Sequence, residues 1–171
     1  LADVSDDRLD AALDAAVAAE RARRAAVAMY PRLWDLQTEH WRVQLREYLR
    51  DQRDCPEGRS LHFELGFGVS ERRTGALDAA SRAEPIRVDL DGLTVPLVGK
   101  IDRVDRIGLE DGPALLAVDY KSGYLPSVRD IAEGVDLQLA LYAAALKRLF
   151  EMPVAGGVYH RIGDLKRRYL A

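Results

Sequence analysis

Two short stretches of the sequence concentrate residues that could do chemistry. Residues 99–105 read Gly-Lys-Ile-Asp-Arg-Val-Asp, and residues 118–123 read Val-Asp-Tyr-Lys-Ser-Gly. In a β-strand, side chains two residues apart share a face, so Asp119 and Lys121 are expected to point the same way and Tyr120 the opposite way. A short hairpin between the two strands can place Asp102 beside Asp119.

Two carboxylates in that position repel each other unless a cation lies between them. Oxygen ligands without thiolates or paired histidines favour Mg²⁺ or Mn²⁺ over zinc. A lysine next to such a site can stabilise phosphate charge or orient a water molecule. The alternative is that Asp102 and Asp119 are surface strand residues in salt bridges, since Asp-x-Lys alone occurs by chance in many chains.

Hydrophobic periodicity predicts the elements that must position these residues. It indicates two helices, three or four antiparallel strands, a buried helix and a further strand, at residues 6–29, 31–53, 61–67, 86–90, 94–107, 115–120, 135–150 and 154–162. In the first strand, the residues expected to share one face are Leu61, Phe63, Leu65 and Phe67. Residues 69–85 are expected to form a mobile loop, and no closing element is evident after residue 162. This order predicts an α/β fold with a central mixed sheet.

Composition narrows the class of protein. The chain has 171 residues, of which 48% are hydrophobic, so a disordered tail or a membrane protein is not expected. The formal net charge of -3 excludes a uniformly basic nucleic-acid coat but allows a local basic groove. The single cysteine, Cys55, excludes a disulfide framework and favours a reducing compartment such as the cytoplasm. Because the chain begins with Leu1, we expect it to be part of a longer protein.

The two stretches, followed by Gln138-x-x-x-Tyr142, resemble the motifs of the PD-(D/E)XK nuclease superfamily, and most closely its RecB/AddB type of recombination exonuclease. The resemblance covers residues 61–162, and the two preceding helices also suit the family. It implies a restriction-endonuclease-like α/β core, with a central mixed sheet flanked by helices and an N-terminal helical pair. It also implies one nuclease domain over residues 1–171, with a helical part at 1–53 and the nuclease core at 61–162.

The resemblance assigns roles residue by residue. Asp102 matches the family's first metal-binding aspartate, and Asp119 matches the acidic residue of the Asp/Glu-x-Lys motif, the second ligand. The backbone carbonyl of Tyr120 commonly completes the metal site, which takes Mg²⁺ or Mn²⁺. Lys121 matches the catalytic lysine, so the expected catalytic residues are Lys121, Asp102 and Asp119.

Three further assignments follow from the same resemblance. Gln138 and Tyr142 lie on one helix face, being four residues apart, and in such nucleases that helix flanks the active site and contacts DNA. Glu64 matches a glutamate of the first core strand, and it is a candidate metal ligand or a structural hydrogen-bonding residue. Arg103 and Asp105 are expected to form a scaffold pair on the strand face opposite the site.

The function implied is a Mg²⁺-dependent DNA nuclease, expected to be an exonuclease, in a helicase–nuclease of DNA repair or recombination. The expected partners are DNA and a helicase domain or subunit, with no membrane. The alternative is a non-catalytic DNA-binding or scaffolding module with a nuclease-like fold. Such modules typically lose the aspartates or the lysine, and all three are present here.

The sequence also departs from the family pattern. RecB-like nucleases usually carry a metal-binding histidine on an earlier helix; neither His40 nor His62 has a matching context, so this ligand is expected upstream. Cys55 alone cannot build the iron–sulfur cluster of AddB-type members, so no cluster is expected in this chain. No Gly-rich phosphate loop is present, which places any helicase motor elsewhere. The candidates for a DNA-binding groove are Lys100, Lys121, Arg129 and the segment 160–168.

Overall fold

A computed structural model of the chain describes residues 4–24, 30–54, 58–70 and 75–170. Its elements, in chain order, are α1 (Asp6–Arg24), α2 (Pro31–Asp54), β1 (Gly58–Phe67), β2 (Ile86–Leu90), β3 (Leu93–Leu97), β4 (Gly99–Leu109), β5 (Gly112–Lys121), α3 (Val128–Ala132), α4 (Gln138–Leu149), β6 (Val154–Arg161) and β7 (Arg167–Leu170). Cys55 and the predicted helical residues 25–29 lie outside the described residues. Within the described ranges, no helix is both long enough and apolar enough to cross a membrane.

The chain divides into two compact units. The first consists of residues 1–56 and 162–165, and the second of residues 57–161 and 166–171. That both belong to one domain remains a prediction.

Helices α1 and α2 of the first unit are antiparallel and are joined by a ladder of ion pairs. The residue number of the partner on α2 falls as the residue number on α1 rises: the pairs are Asp6–Arg50, Asp10–Arg46 and Asp14–Arg42, at 2.8, 2.6 and 2.5 Å. Each pair is partly or largely exposed, so each contributes little to stability. The four-residue spacing of Asp on one helix and of Arg on the other matches the antiparallel register of the pair.

The second unit contains a five-stranded mixed sheet with the strand order β1-β4-β5-β6-β7. All neighbours are antiparallel except β5 and β6, which are parallel and are connected through α3 and α4. Strands β2 and β3 form a separate hairpin. Asp91 and Gly92 in its turn both have positive φ, 47° and 84°, as a tight hairpin turn requires. The predicted mixed sheet and the Asp91-Gly92 turn are confirmed.

Several predicted boundaries were wrong. The strand expected at 94–107 is two strands separated at Val98, because β3 pairs within the hairpin whereas β4 joins the main sheet. The buried helix begins at Gln138 rather than at residue 135, because the amides of Val135 and Asp136 donate to the carbonyl of Asp130 and close a turn. The short elements α3 and β7 were missed; each has five residues or fewer.

Strand β1 is not a regular alternating strand. Of its predicted apolar face, Leu65 and Phe67 are buried, whereas Leu61 and Phe63 are exposed. The register between β1 and β4 shifts between Ser60 and His62, and Glu64 has a left-handed backbone with φ of 57°; both features interrupt the regular strand. The expectation of a continuous buried face is therefore wrong for Leu61 and Phe63.

Residues 75–85 have little regular structure, as predicted, but they are not a free loop. Asp78 accepts from the amide of Phe63 at 3.3 Å and contacts His62 Nδ1 at 3.0 Å. The amide of Gly66 donates to Ser81 Oγ at 2.9 Å. The segment is thereby hydrogen-bonded along β1.

The core of the second unit lies between the sheet and α4. Its buried members are Leu65, Phe67, Ile86, Ile101, Val104, Leu115, Ala117, Ala145, Leu146 and Leu149. Leu115 and Ala117 share one face of β5, and by alternation Asp119 and Lys121 continue that face. The apolar row under α4 thus becomes polar at the end of β5, beside the first turn of the helix.

Candidate active site

The residues at the end of β5 and the start of α4 form one hydrogen-bonded network. Lys121 Nζ lies 2.7 Å from Asp119 Oδ2 and donates to Gln138 Oε1 at 2.8 Å. Gln138 Nε2 lies 2.6 Å from Asp119 Oδ1 and 2.8 Å from the hydroxyl of Tyr142. The structure therefore brings together four residues that the sequence singled out, from two separate motifs.

The first turn of α4 is held close to the sheet by a glycine. A Cβ atom added at Gly157 of β6 would lie 2.9 Å from the side chain of Leu139, the residue after Gln138. Real Cβ atoms essentially never approach so closely, so the absence of a side chain at Gly157 lets the helix approach β6. The position of Gln138 over the end of β5 depends on this contact.

Asp102 lies where β4 and β5 stop pairing. The ladder between the two strands ends at Arg103 and Val118, and beyond it the backbone amide of Tyr120 donates to Asp102 Oδ2 at 3.0 Å. In a strand, the N–H and C=O of one residue point to the same edge, so the Tyr120 carbonyl also points toward β4. Asp102, the Tyr120 carbonyl and Asp119 are therefore contributed by neighbouring positions at one end of the sheet.

The carboxylates crowd one another electrostatically. Burial raises the pKa of Asp119 above its ordinary value; the charges of Asp102 and Asp136 act in the same direction, whereas Lys121 opposes them. Burial also raises the pKa of Tyr142 to about 12, and the charges of Asp119 and Asp102 add to this effect. Both aspartates therefore act electrostatically on the same hydroxyl of α4.

Sequence reasoning missed two residues of this region, Asp136 and Tyr159. Asp136 accepts hydrogen bonds from the Tyr159 hydroxyl and, at 3.3 Å, from the amide of Gln138. Tyr159 is buried, pairs with Asp119 in the β5–β6 register, and its ring centroid lies 4.7 Å from Lys121 Nζ. An aspartate just before the first turn of a helix is a recognisable capping signal, whereas nothing in the sequence around Tyr159 identifies it.

The opposite face of the same strands carries the expected scaffold pair. Arg103 donates to Asp105 at 2.6 Å and to the hydroxyl of Tyr120 at 3.1 Å. Arg103 and Asp105 are both buried. The prediction of a scaffold pair is confirmed.

The remaining candidate residues have other contacts. Glu64 is ion-paired with Lys100. In the β1–β4 register, the two neighbours of Glu64 pair with the two neighbours of Asp102, so Glu64 lies opposite Asp102. His62 stacks on the ring of Phe150, with centroids 5.1 Å apart, and contacts Asp78. His160 is 1% exposed, so it cannot contact a phosphate at the surface, and this part of the expected DNA-binding segment was wrong.

The donor set can be tested against a divalent metal. Asp119 Oδ2 is buried, and it contacts the Lys121 ammonium at 2.7 Å. Within the part of the chain that the structure describes, no three His, Cys, Asp or Glu side chains converge on a point that could hold a metal. Mg²⁺ is commonly bound through one or two carboxylates with waters in the other positions, so Asp102, Asp119 and the Tyr120 carbonyl fit such an ion. The described residues include no cysteine, so they offer no thiolate ligand to a metal.

The fold and these motifs define a class of protein, and a comparison with protein families establishes it. The sequence matches the model of the PD-(D/E)XK nuclease superfamily over residues 2–170. The chain therefore belongs to this superfamily, and its mixed sheet flanked by helices is the restriction-endonuclease-like core.

Individual relatives are named as subunits of an ATP-dependent helicase/deoxyribonuclease. The protein of that name from Acetivibrio thermocellus is 38% identical over 110 residues, which are 60% of this chain and 9% of the relative. The one from Clostridium tetani is 42% identical over 91 residues, covering 52% of this chain and 7% of the relative. The matched region thus spans less than a tenth of the length of these relatives.

Proposed function

We propose that Asp102, Asp119 and Lys121 form the active site of a divalent-metal-dependent deoxyribonuclease, expected to be an exonuclease. Membership of the nuclease superfamily supports the reaction class. The observation that carries the assignment is the network at the end of β5, where a buried aspartate, a partly exposed lysine and a second aspartate meet. The metal would be Mg²⁺ or Mn²⁺, and Asp102, Asp119 and the Tyr120 carbonyl would hold it.

The reaction is hydrolysis of a phosphodiester bond. A divalent ion bound there would polarise the phosphate and lower the pKa of a bound water. Lys121 carries the positive charge that stabilises the phosphoryl oxygens as negative charge develops on them. The water oxygen bonds to phosphorus and gives up a proton, the bond between phosphorus and the leaving oxygen breaks, and the leaving oxygen takes up a proton.

Gln138 acts as a positioning residue in this proposal. Its amide bonds to both Asp119 and Lys121, so it fixes the carboxylate and the ammonium relative to each other. Tyr142 in turn holds the Gln138 amide. Outer partners of this kind commonly orient metal ligands, and the predicted contact of Gln138 and Tyr142 with DNA remains part of the proposal.

The wider setting is also a proposal. The names of the relatives combine a helicase with a deoxyribonuclease, which supports DNA as substrate and a helicase domain or subunit as partner. A nuclease coupled to a helicase receives strands that the motor has separated.

The test is a nuclease assay on single- and double-stranded DNA with Mg²⁺, Mn²⁺ or a chelator, using the full-length protein that carries this chain. Asp119→Asn should abolish metal-dependent cleavage. Asp111→Asn, an exposed carboxylate in the β4–β5 turn, should leave it unchanged. Cleavage by Asp119→Asn at the normal rate would reject the site, and DNA binding without any cleavage by the unaltered protein would support the non-catalytic alternative.

A further inference from the structure

A pocket of about 340 Å³ adjoins the candidate active site. It lies between α4 and the end of the sheet where β1 meets β4, beside the junction of β3 and β4. Its lining residues are Phe67, Leu97, Val98, Gly99, Lys100, Gln138, Leu141 and Tyr142. The volume falls within the range of small-ligand sites, toward its lower end.

The walls of this pocket are mainly apolar, with two aromatic rings. Phe67 lies against Gly99, where an added Cβ atom would come within 2.9 Å of the ring. The ring of Phe67 therefore occupies the space that a side chain at Gly99 would take. Val98 at the rim is 61% exposed, so the pocket is open to solvent on that side.

The polar groups of the pocket connect it to the catalytic network. Gln138 lines the pocket, and its amide is 2.6 Å from Asp119, so one side chain separates the two. Lys100 supplies a positive charge at the pocket wall, where it is ion-paired with Glu64. A ligand that spans both places needs an anionic group beside Lys121 and a flat apolar ring that enters the pocket.

We propose that this pocket takes the nucleobase of a nucleotide adjacent to the scissile phosphate. The inference rests on the proposed nuclease function and adds the recognition of an unpaired base to it. Every nucleobase has an apolar face that can stack on an aromatic ring. Gln138 is already hydrogen-bonded within the catalytic network, and Lys100 is already ion-paired with Glu64, so neither side chain distinguishes one base from another. The pocket should therefore accept all four bases, but it requires that a base be present.

The experiment compares cleavage of an intact single-stranded oligonucleotide with cleavage of a series of the same oligonucleotide, in which one abasic residue occupies a different position in each member. The full-length protein should cleave about 5- to 100-fold more slowly at the bond that places the abasic residue in the pocket, as loss of one stacked base predicts. Bonds farther away should be cleaved at the normal rate. Equal rates at all positions would overturn the inference while leaving the nuclease function intact.

Substitutions locate the effect. Val98→Trp should fill the pocket mouth, slow cleavage of intact DNA and abolish the difference between intact and abasic substrates. Leu93→Trp is the matched control, because Leu93 at the start of β3 is 67% exposed and does not line the pocket; it should behave as the unaltered protein. An undiminished abasic effect in well-folded Val98→Trp would reject this pocket as the base site.

Failure of the two proposals can be told apart. Absence of metal-dependent cleavage on every DNA substrate would reject the nuclease function, and with it the base pocket. Should Val98→Trp unfold, which thermal denaturation detects, the abasic comparison in the unaltered protein decides the question by itself.

Discussion

Two Asp–cation pairs of nearly equal length lie on opposite faces of β4 and β5. Arg103 and Asp105, two residues apart in β4, are 2.6 Å apart; Asp119 and Lys121, two residues apart in β5, are 2.7 Å apart. Alternation along each strand produces both pairs. By distance alone they are equivalent.

The two pairs differ in their surroundings. The Arg103 and Asp105 side chains are 8% and 9% exposed, and Arg103 donates to the hydroxyl of Tyr120. Lys121 is 24% exposed while Asp119 is 4% exposed, with the charge of Asp102 close by. A lysine that reaches solvent beside crowded carboxylates can meet a phosphate, whereas a buried arginine cannot. Accessibility and like-charge crowding therefore distinguish the site from the scaffold.

The largest effect on stability is expected from breaking the scaffold pair. Arg103→Ala leaves the Asp105 charge buried without compensation, which should lower the free energy of unfolding by about 3–5 kcal/mol. Denaturant unfolding measures this, with Arg106→Ala, an exposed arginine of the same strand, as control. Turnover per folded molecule should persist. A loss of less than about 1 kcal/mol would show that burial does not set the two pairs apart.

Removing the lysine of the other pair should affect rate first. Lys121→Ala is expected to slow cleavage by about 10²–10³-fold, the usual cost of one preorganised charge-stabilising donor. Its unfolding free energy should fall by less than that of Arg103→Ala, because Lys121 is partly exposed. Single-turnover cleavage with saturating DNA measures the rate, and Lys147→Ala on the exposed side of α4 is the control. Near-normal turnover would assign Lys121 to the scaffold as well.

A smaller effect should come from the residue that links the site to α4. Gln138→Ala removes the bonds to Asp119 and Lys121 and should reduce metal affinity or rate by about 10- to 100-fold. Tyr142→Phe removes only the hydroxyl that contacts Gln138, so it should cost less. Metal titrations of cleavage compare the two. Equal losses would show that Gln138 acts through Tyr142 rather than on Asp119 and Lys121.

The sequence predicted the parts of this comparison that depend on local spacing. Residues two apart on a strand share a face, so both pairs could be inferred from sequence, as could the alignment of Gln138 with Tyr142. The contacts of Gln138 with Asp119 and Lys121 join residues 17 to 19 positions apart, and they require the docking of α4 on the sheet. The left-handed backbone at Glu64 has no local sequence signal. The role of Tyr159 has none either, because it arises from the pairing of two strands that are distant in sequence.

The central claim is that Asp102 and Asp119 share a divalent ion. The most direct measurement is anomalous diffraction from crystals of the protein soaked in Mn²⁺, with Asp119→Asn crystals treated in the same way. A shared ion predicts a peak about 2.1 Å from a carboxylate oxygen of each aspartate, adjacent to the Tyr120 carbonyl, and its loss in the variant. The absence of a peak between these two carboxylates at saturating Mn²⁺, whether or not a peak lies elsewhere in the protein, would contradict the claim.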